Sequence, residues 1–215
     1  MNFIKKTISI VMIIAMLLSV TTNFAWASNN EPNIVADAAI IYCGDSGEIL
    51  YDRNAKVRME PASMTKLMTC LIAVEELSLD QKVKITADIE IIEPTELGVV
   101  AGEEITVRDL VYGALLCSGN DAATALGIAV SGSIEEFSVL MNKKAKELGC
   151  NDTNFTNPSG LPDEKMYSTC LDMAKIAKAA MDNEFIRKVC GTVKYNTAAT
   201  NMSGPREVES TNLFL

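Results

Sequence analysis

Ser63 and Lys66 stand three residues apart in Pro61-Ala62-Ser63-Met64-Thr65-Lys66. On a helix that spacing puts both side chains on one face, one turn from each other. A lysine at the mouth of an apolar helix is desolvated, which favours its neutral amine. A neutral amine within reach of a serine hydroxyl can take its proton, giving a nucleophile with its own base. The helix start adds unpaired amides and a partial positive charge, both suited to a developing oxyanion. A second place where chemistry could sit is Ser118-Gly119-Asn120, at a break between two helical stretches. A hydroxyl there could pass a proton between Lys66 and a leaving group, and an amide could hold a substrate carbonyl. Spacing alone is a weak signal, because Ser-x-x-Lys arises about once by chance in a chain of this length. Ser-x-Asn also recurs at Ser28 and Ser210. The bland alternative is a surface serine beside a solvated lysine. What favours the chemical reading is context: a proline start, a long apolar helix behind it and a secretion signal in front.

The helix that must carry the pair continues as Leu67-Met68-Thr69-Cys70-Leu71-Ile72-Ala73-Val74, without Gly or a further Pro. Such a run favours a helix buried on most of its circumference. Pro61 suits its first turn, where amides lack partners anyway. Before it, residues 38–42 and 48–51 flank an Asp45-Ser46-Gly47 turn and read as a hairpin. Residues 78–92 alternate polar and apolar and read as short strands, and 94–102 as a loop with two glycines. Residues 106–116 read as a helix with Thr106 as N-cap and Asp109 answering its amide. Residues 121–130 are helical again. Ser133-Ile134-Glu135-Glu136 is a capping box opening a helix that ends at Gly149, and 169–181 form another helix capped by Thr169. The tail from Asn183 is mixed. Early strands followed by a helical block give an α+β domain.

Composition narrows the function. The first residues read as a secretory signal peptide, residues 1–27: basic Lys5 and Lys6, an apolar run over 8–20, and Ala25-Trp26-Ala27 for cleavage. Residues 28–215 remain as one domain. The apolar run is short for a membrane span, so no membrane anchor is expected within the chain. The net charge is −9, and removing Lys5 and Lys6 makes it more negative, which argues against nucleic acid and anionic membranes. The sequence contains no His, which excludes Ser-His-Asp and Cys-His mechanisms and His-dependent zinc sites. Its six Cys show no metal or redox spacing, and Cys70 and Cys170 fall in helical patterns where a buried free thiol is the commoner state. No cofactor or metal is implied.

Pro61-Ala62-Ser63-Met64-Thr65-Lys66 and Ser118-Gly119-Asn120-Asp121-Ala122 together resemble the first two motifs of the D-alanyl-D-alanine carboxypeptidases, the low-molecular-mass penicillin-binding proteins of serine peptidase type. The resemblance extends to residues 38–54, to Gly102-Glu103-Glu104-Ile105-Thr106-Val107 and to Asn157-Pro158-Ser159-Gly160-Leu161. It implies a beta-lactamase/transpeptidase-like domain, with a helical block on an antiparallel sheet. It also implies catalytic roles for Ser63, Lys66 and Ser118, and substrate binding by Asn120. The expected partners are a peptidoglycan stem peptide and, as covalent inhibitors, beta-lactams. The expected location is extracytoplasmic, on the cell-wall or periplasmic side of a bacterial membrane. The family's third motif, Lys-Thr-Gly, does not occur in the 215 residues. Hence the C-terminal strands are expected to be missing, with little or no turnover by these residues alone. Two alternatives stand beside this reading: a beta-lactamase-type hydrolase on the same fold, and an inactive truncated product. The first would need an acid to activate water, for which Glu147 has only a superficially suitable spacing. Class A beta-lactamases also usually carry Asp where this chain has Gly119.

Overall fold

A computed structural model describes residues 33–86, 89 and 95–213. The signal-peptide reading of residues 1–27 and part of the strand reading of 78–92 lie outside the described residues. The first element among the described residues is the expected hairpin, β1 (Ala39–Tyr42) antiparallel to β2 (Ile49–Arg53), in register Ala39 to Arg53 with an irregularity at Ile41/Tyr42. A 3-10 turn, Ala62–Met64, then leads into α1 (Thr65–Glu76). β3 (Lys82–Lys84) pairs with β4 (Glu104–Thr106), which runs directly into α2 (Val107–Leu116). Next come α3 (Asn120–Ser131), α4 (Ile134–Glu147), α5 (Cys170–Asp182) and α6 (Glu184–Cys190). A last hairpin, β5 (Lys194–Asn196) with β6 (Glu207–Glu209), closes the described fold. The architecture is α+β: a helical block with antiparallel strands in three two-stranded pieces among the described residues. No single described helix is long and apolar enough to cross a membrane.

The centre of the block is α1, which packs against α2, α3, α4 and α5. Its apolar residues feed all three hydrophobic clusters: Cys70 and Ala73 join α2 and α3, Met68 and Ile72 join Phe137 and Ile176, and Leu71 joins Ala180 and Ile186. Met68, Leu71 and Ile72 are each 3% exposed or less, and each contributes roughly 1.5–3 kcal/mol by leaving water. The core thus fixes the orientation of the helix whose first turn carries Lys66, with Ser63 in the 3-10 turn that leads into it.

Caps set the helix boundaries. Ser133 accepts from the Glu136 amide, and Thr169 accepts from the Asp172 amide. Thr106 accepts from the Asp109 amide, but the expected reciprocal bond takes another form. The Asp109 carboxylate accepts the Thr106 hydroxyl at 2.7 Å and the Tyr195 hydroxyl at 2.7 Å. Those contacts commit it to tying α2 to β5 rather than to capping. The tail holds more regular structure than "mixed" conveys. Asn183 caps α6 by accepting two amides, and Thr197 N donates to the Arg206 carbonyl, which closes the β5–β6 loop. All six cysteines are free thiols; Cys70 and Cys150 are buried, whereas Cys170 is only half-buried because it opens α5.

Candidate active site

Ser63 lies in the 3-10 turn, exposed, while Lys66, in the first turn of α1, is 1% exposed. The i, i+3 spacing does what helical geometry requires: Lys66 Nζ donates to Ser63 Oγ at 3.0 Å. The ammonium has two further acceptors, Asn120 Oδ1 at 2.8 Å and the Ser159 carbonyl at 2.8 Å. On the other side of Ser63, Ser118 Oγ donates to Ser63 Oγ at 2.9 Å. The four residues singled out by sequence therefore meet at one point, with Ser63 between a buried amine and a second hydroxyl.

Burial is the leading influence on Lys66 and brings its pKa down to about 8, with Cys70, Cys117 and Asp121 acting in the opposite sense. Lysine has three donors and no acceptor while charged, and all three find acceptors here. When it loses a proton, two donors remain for Asn120 and Ser159, and its lone pair can accept the Ser63 proton. The arrangement can thus generate an alkoxide-like oxygen that faces solvent.

Backbone geometry at the site is unusual. Ala62 has φ 47° and Ser118 has φ 60°, both left-handed, a region most non-glycine residues avoid. Strain of this kind typically costs about 1–3 kcal/mol per residue and persists only where surroundings over-determine it. The surroundings of Ala62 include Gly160: a Cβ there would come within 1.8 Å of the Ala62 carbonyl oxygen, and Gly160 itself has φ 84°. Asn157 builds that loop, its Oδ1 accepting the Ser159 and Gly160 amides, and Thr69 Oγ1 ties the Pro158 carbonyl to α1 at 2.6 Å.

A family model for D-alanyl-D-alanine carboxypeptidases matches residues 25–213. The chain belongs to this family. Among curated members of the D-alanyl-D-alanine carboxypeptidases, it is 38% identical to DacF of Bacillus subtilis over 197 residues, covering 87% of this chain and 51% of that protein. It is 33% identical to the D-alanyl-D-alanine carboxypeptidase of Streptomyces sp. strain K15 over 186 residues, covering 81% of this chain and 64% of that one. The chain thus spans about half to two thirds of the length of these two relatives. Among solved structures, a mutant of the Streptomyces K15 DD-transpeptidase superposes with a TM-score of 0.80 at 30% identity, over 86% of this chain and 77% of that one. The D-alanyl-D-alanine carboxypeptidase from Mycobacterium tuberculosis gives 0.77 at 32% identity, over 82% and 67%.

Within this member of the D-alanyl-D-alanine carboxypeptidases, two contributors at the site escaped sequence reasoning. The Ser159 carbonyl is a backbone atom 93 residues from Lys66, and no side-chain pattern announces it. Asp121 looks like an ordinary first-turn acid of α3, yet it is 2% exposed and its carboxylate accepts amides from the loop at residues 97–99. Glu147 sits at the exposed end of α4, 54% exposed and 4.0 Å from Lys143, which fits a solvated helix face.

Proposed function

We propose that the protein is an exported serine-type D-alanyl-D-alanine carboxypeptidase that removes the terminal D-alanine from peptidoglycan stem peptides. The observation carrying this reading is the buried Lys66 amine 3.0 Å from an exposed Ser63 hydroxyl, with Ser118 Oγ 2.9 Å away on the other side. Ser63 Oγ attacks the carbonyl carbon between the two D-alanines, and its proton passes to neutral Lys66. The tetrahedral intermediate collapses, the C–N bond breaks, and the departing amine takes a proton from Lys66 by way of Ser118. Asn120, whose Oδ1 holds Lys66, orients the substrate amide. Water then attacks the ester, which releases the shortened peptide as a carboxylate and returns the proton to Ser63. Beta-lactams acylate Ser63 as mimics of the same peptide. The residues 1–27 signal peptide supports export to the outer side of the cytoplasmic membrane, where stem peptides reside.

The test has two readouts on the purified protein. Mass spectrometry after incubation with penicillin is expected to find one adduct, on the peptide containing Ser63. A peptide ending in D-alanyl-D-alanine is expected to release about one D-alanine per Ser63 with little further turnover, scored by chiral amino-acid analysis. An adduct on another residue, or loss of an L-residue, overturns the assignment.

A further inference from the structure

The loop at residues 95–103 is bound to the Ser118–Asn120 turn at several points. Thr95 Oγ1 donates to the Ser118 carbonyl at 2.8 Å, and the Thr95 carbonyl accepts the Asn120 amide at 2.9 Å. Behind the turn, the Asp121 carboxylate accepts four amides: Leu97 at 2.8 Å, Gly98 at 2.8 Å, Val99 at 3.1 Å and Ala122 at 2.8 Å. Three consecutive amides converging on one anion form a nest, and bonds to a charged acceptor are about twice as strong as neutral ones. The fit leaves no spare room. A Cβ at Gly119 would lie 3.0 Å from Asp121 Oδ1 and 3.1 Å from the Leu97 nitrogen.

The far side of the loop is tied to the β5–β6 hairpin. Arg206 donates to both oxygens of Glu103, at 2.7 and 2.9 Å, and to the Gly98 carbonyl at 2.8 Å. Thr200 Oγ1 donates to Glu103 at 2.7 Å. Glu103 is fully buried, and the Arg206 side chain is 15% exposed. Burial pushes the Glu103 carboxyl up, but the bonds from Arg206, Thr200 and the Val100 amide more than offset this and hold it below its ordinary value. Gly98 thus has its amide on Asp121 and its carbonyl on Arg206, which links the hairpin to the first turn of α3 through one residue.

We infer that Asp121, with Thr95 and the Glu103–Arg206 pair behind it, positions Ser118 and Asn120 against Ser63 and Lys66, so that loop 95–103 belongs to the acylation apparatus. The inference rests on the covalent role proposed for Ser63. Asp121 touches no substrate in this scheme; it is a positioning residue that acts through its neighbours. It anchors the loop whose Thr95 holds the left-handed Ser118 backbone by its carbonyl and accepts the buried Asn120 amide, the two residues whose side chains must sit within hydrogen-bond reach of the nucleophile and its base. It also sets a charge near Lys66. The groups facing that amine are Cys70 from α1, Cys117 from the end of α2 and Asp121 from α3.

The experiment measures the second-order rate of Ser63 acylation by a fluorescent penicillin between pH 6 and 10, with thermal melts on every variant. Asp121→Asn keeps the size but loses the charge and one acceptor oxygen. It is expected to slow acylation at least about tenfold. Its acid limb is expected to move to lower pH, because removing a negative neighbour makes Lys66 easier to deprotonate. A loop that only supported the fold would lower the melting temperature and leave the limb where it was. Should Asp121→Asn fail to fold, Thr95→Val and Arg206→Met carry the test, each expected to slow acylation about fivefold or more, with Arg206→Lys restoring part of it. Folded variants that acylate within twofold of the parent, with an unmoved limb in Asp121→Asn, overturn the inference. If the parent protein takes no label, the covalent reading fails first. The Lys66 side-chain titration, followed by NMR in lysine-labelled parent and Asp121→Asn, then decides: an unshifted midpoint overturns the inference.

Discussion

The sharpest consequence of the site concerns the protonation of Lys66. With a pKa of about 8 the amine is neutral in about one molecule in ten at pH 7, against about one in three thousand for an unperturbed lysine at 10.5. Burial therefore raises the reactive population about 300-fold, worth about 3 kcal/mol at 1.36 kcal/mol per unit. Acylation of Ser63 by penicillin is the assay of choice, because it reads a single covalent event and is not obscured by slow turnover. The rate should climb about tenfold per pH unit below about 8 and level off above it. Lys66→Arg keeps a cation in place but cannot give up its proton, so the step near pH 8 should vanish. The rate should then fall by about 10²–10⁴, the usual range for loss of a general base. A rate independent of pH between 6 and 9, or Lys66→Arg acylating within about tenfold of the parent, would show that Lys66 is not the base.

Other expectations follow from the same geometry. Ser63→Ala should abolish penicillin labelling altogether, and Ser118→Ala should slow it by about 10–100-fold, as befits loss of a proton relay; a gel-based labelling series checks both. Gly160→Ala should destabilise the protein by at least about 3 kcal/mol, since the new methyl group collides with the Ala62 carbonyl and the residue already has φ 84°. A thermal melt should show a drop of about 6–12 °C, and an unchanged melt would mean that the turn yields freely. Stability should also respond to the buried amine. Its folded-state pKa is depressed, so between about pH 8 and 10.5 the unfolded chain holds the extra proton and this group's contribution to stability rises with pH. Denaturant midpoints over that range should rise less in Lys66→Met than in the parent.

The parts of the site that were legible in the sequence are those written in side chains at helical spacing. Ser63 and Lys66 needed the i, i+3 rule together with the proline start, the apolar helix behind it and the secretion signal in front. Ser118 and Asn120 needed the interhelical break and the family resemblance. What stayed hidden is carried by backbone atoms or by distance. The Ser159 carbonyl has no residue-type signature, and the role of Asp121 depends on amides more than twenty positions earlier in the chain. Thr106 and Asp109 show the converse: a capping pattern was visible, but a tyrosine 86 residues downstream claimed the carboxylate. Helix α6 was readable in principle from Asn183, Glu184 and Gly191, its cap, first-turn acid and terminal glycine, but at seven residues it gave too short a periodic run to stand out.

One helix serves as both the spine of the interior and the mount of the reactive pair. Cys70, which faces the buried Lys66 amine, belongs to the cluster that α1 shares with α2 and α3, so the amine should recover its ordinary basicity when that packing loosens. Damage to the interior should then silence the serine even while it remains accessible. On the covalent role proposed for Ser63, a penicillin tag would count intact molecules and serve as a conformational census of a preparation.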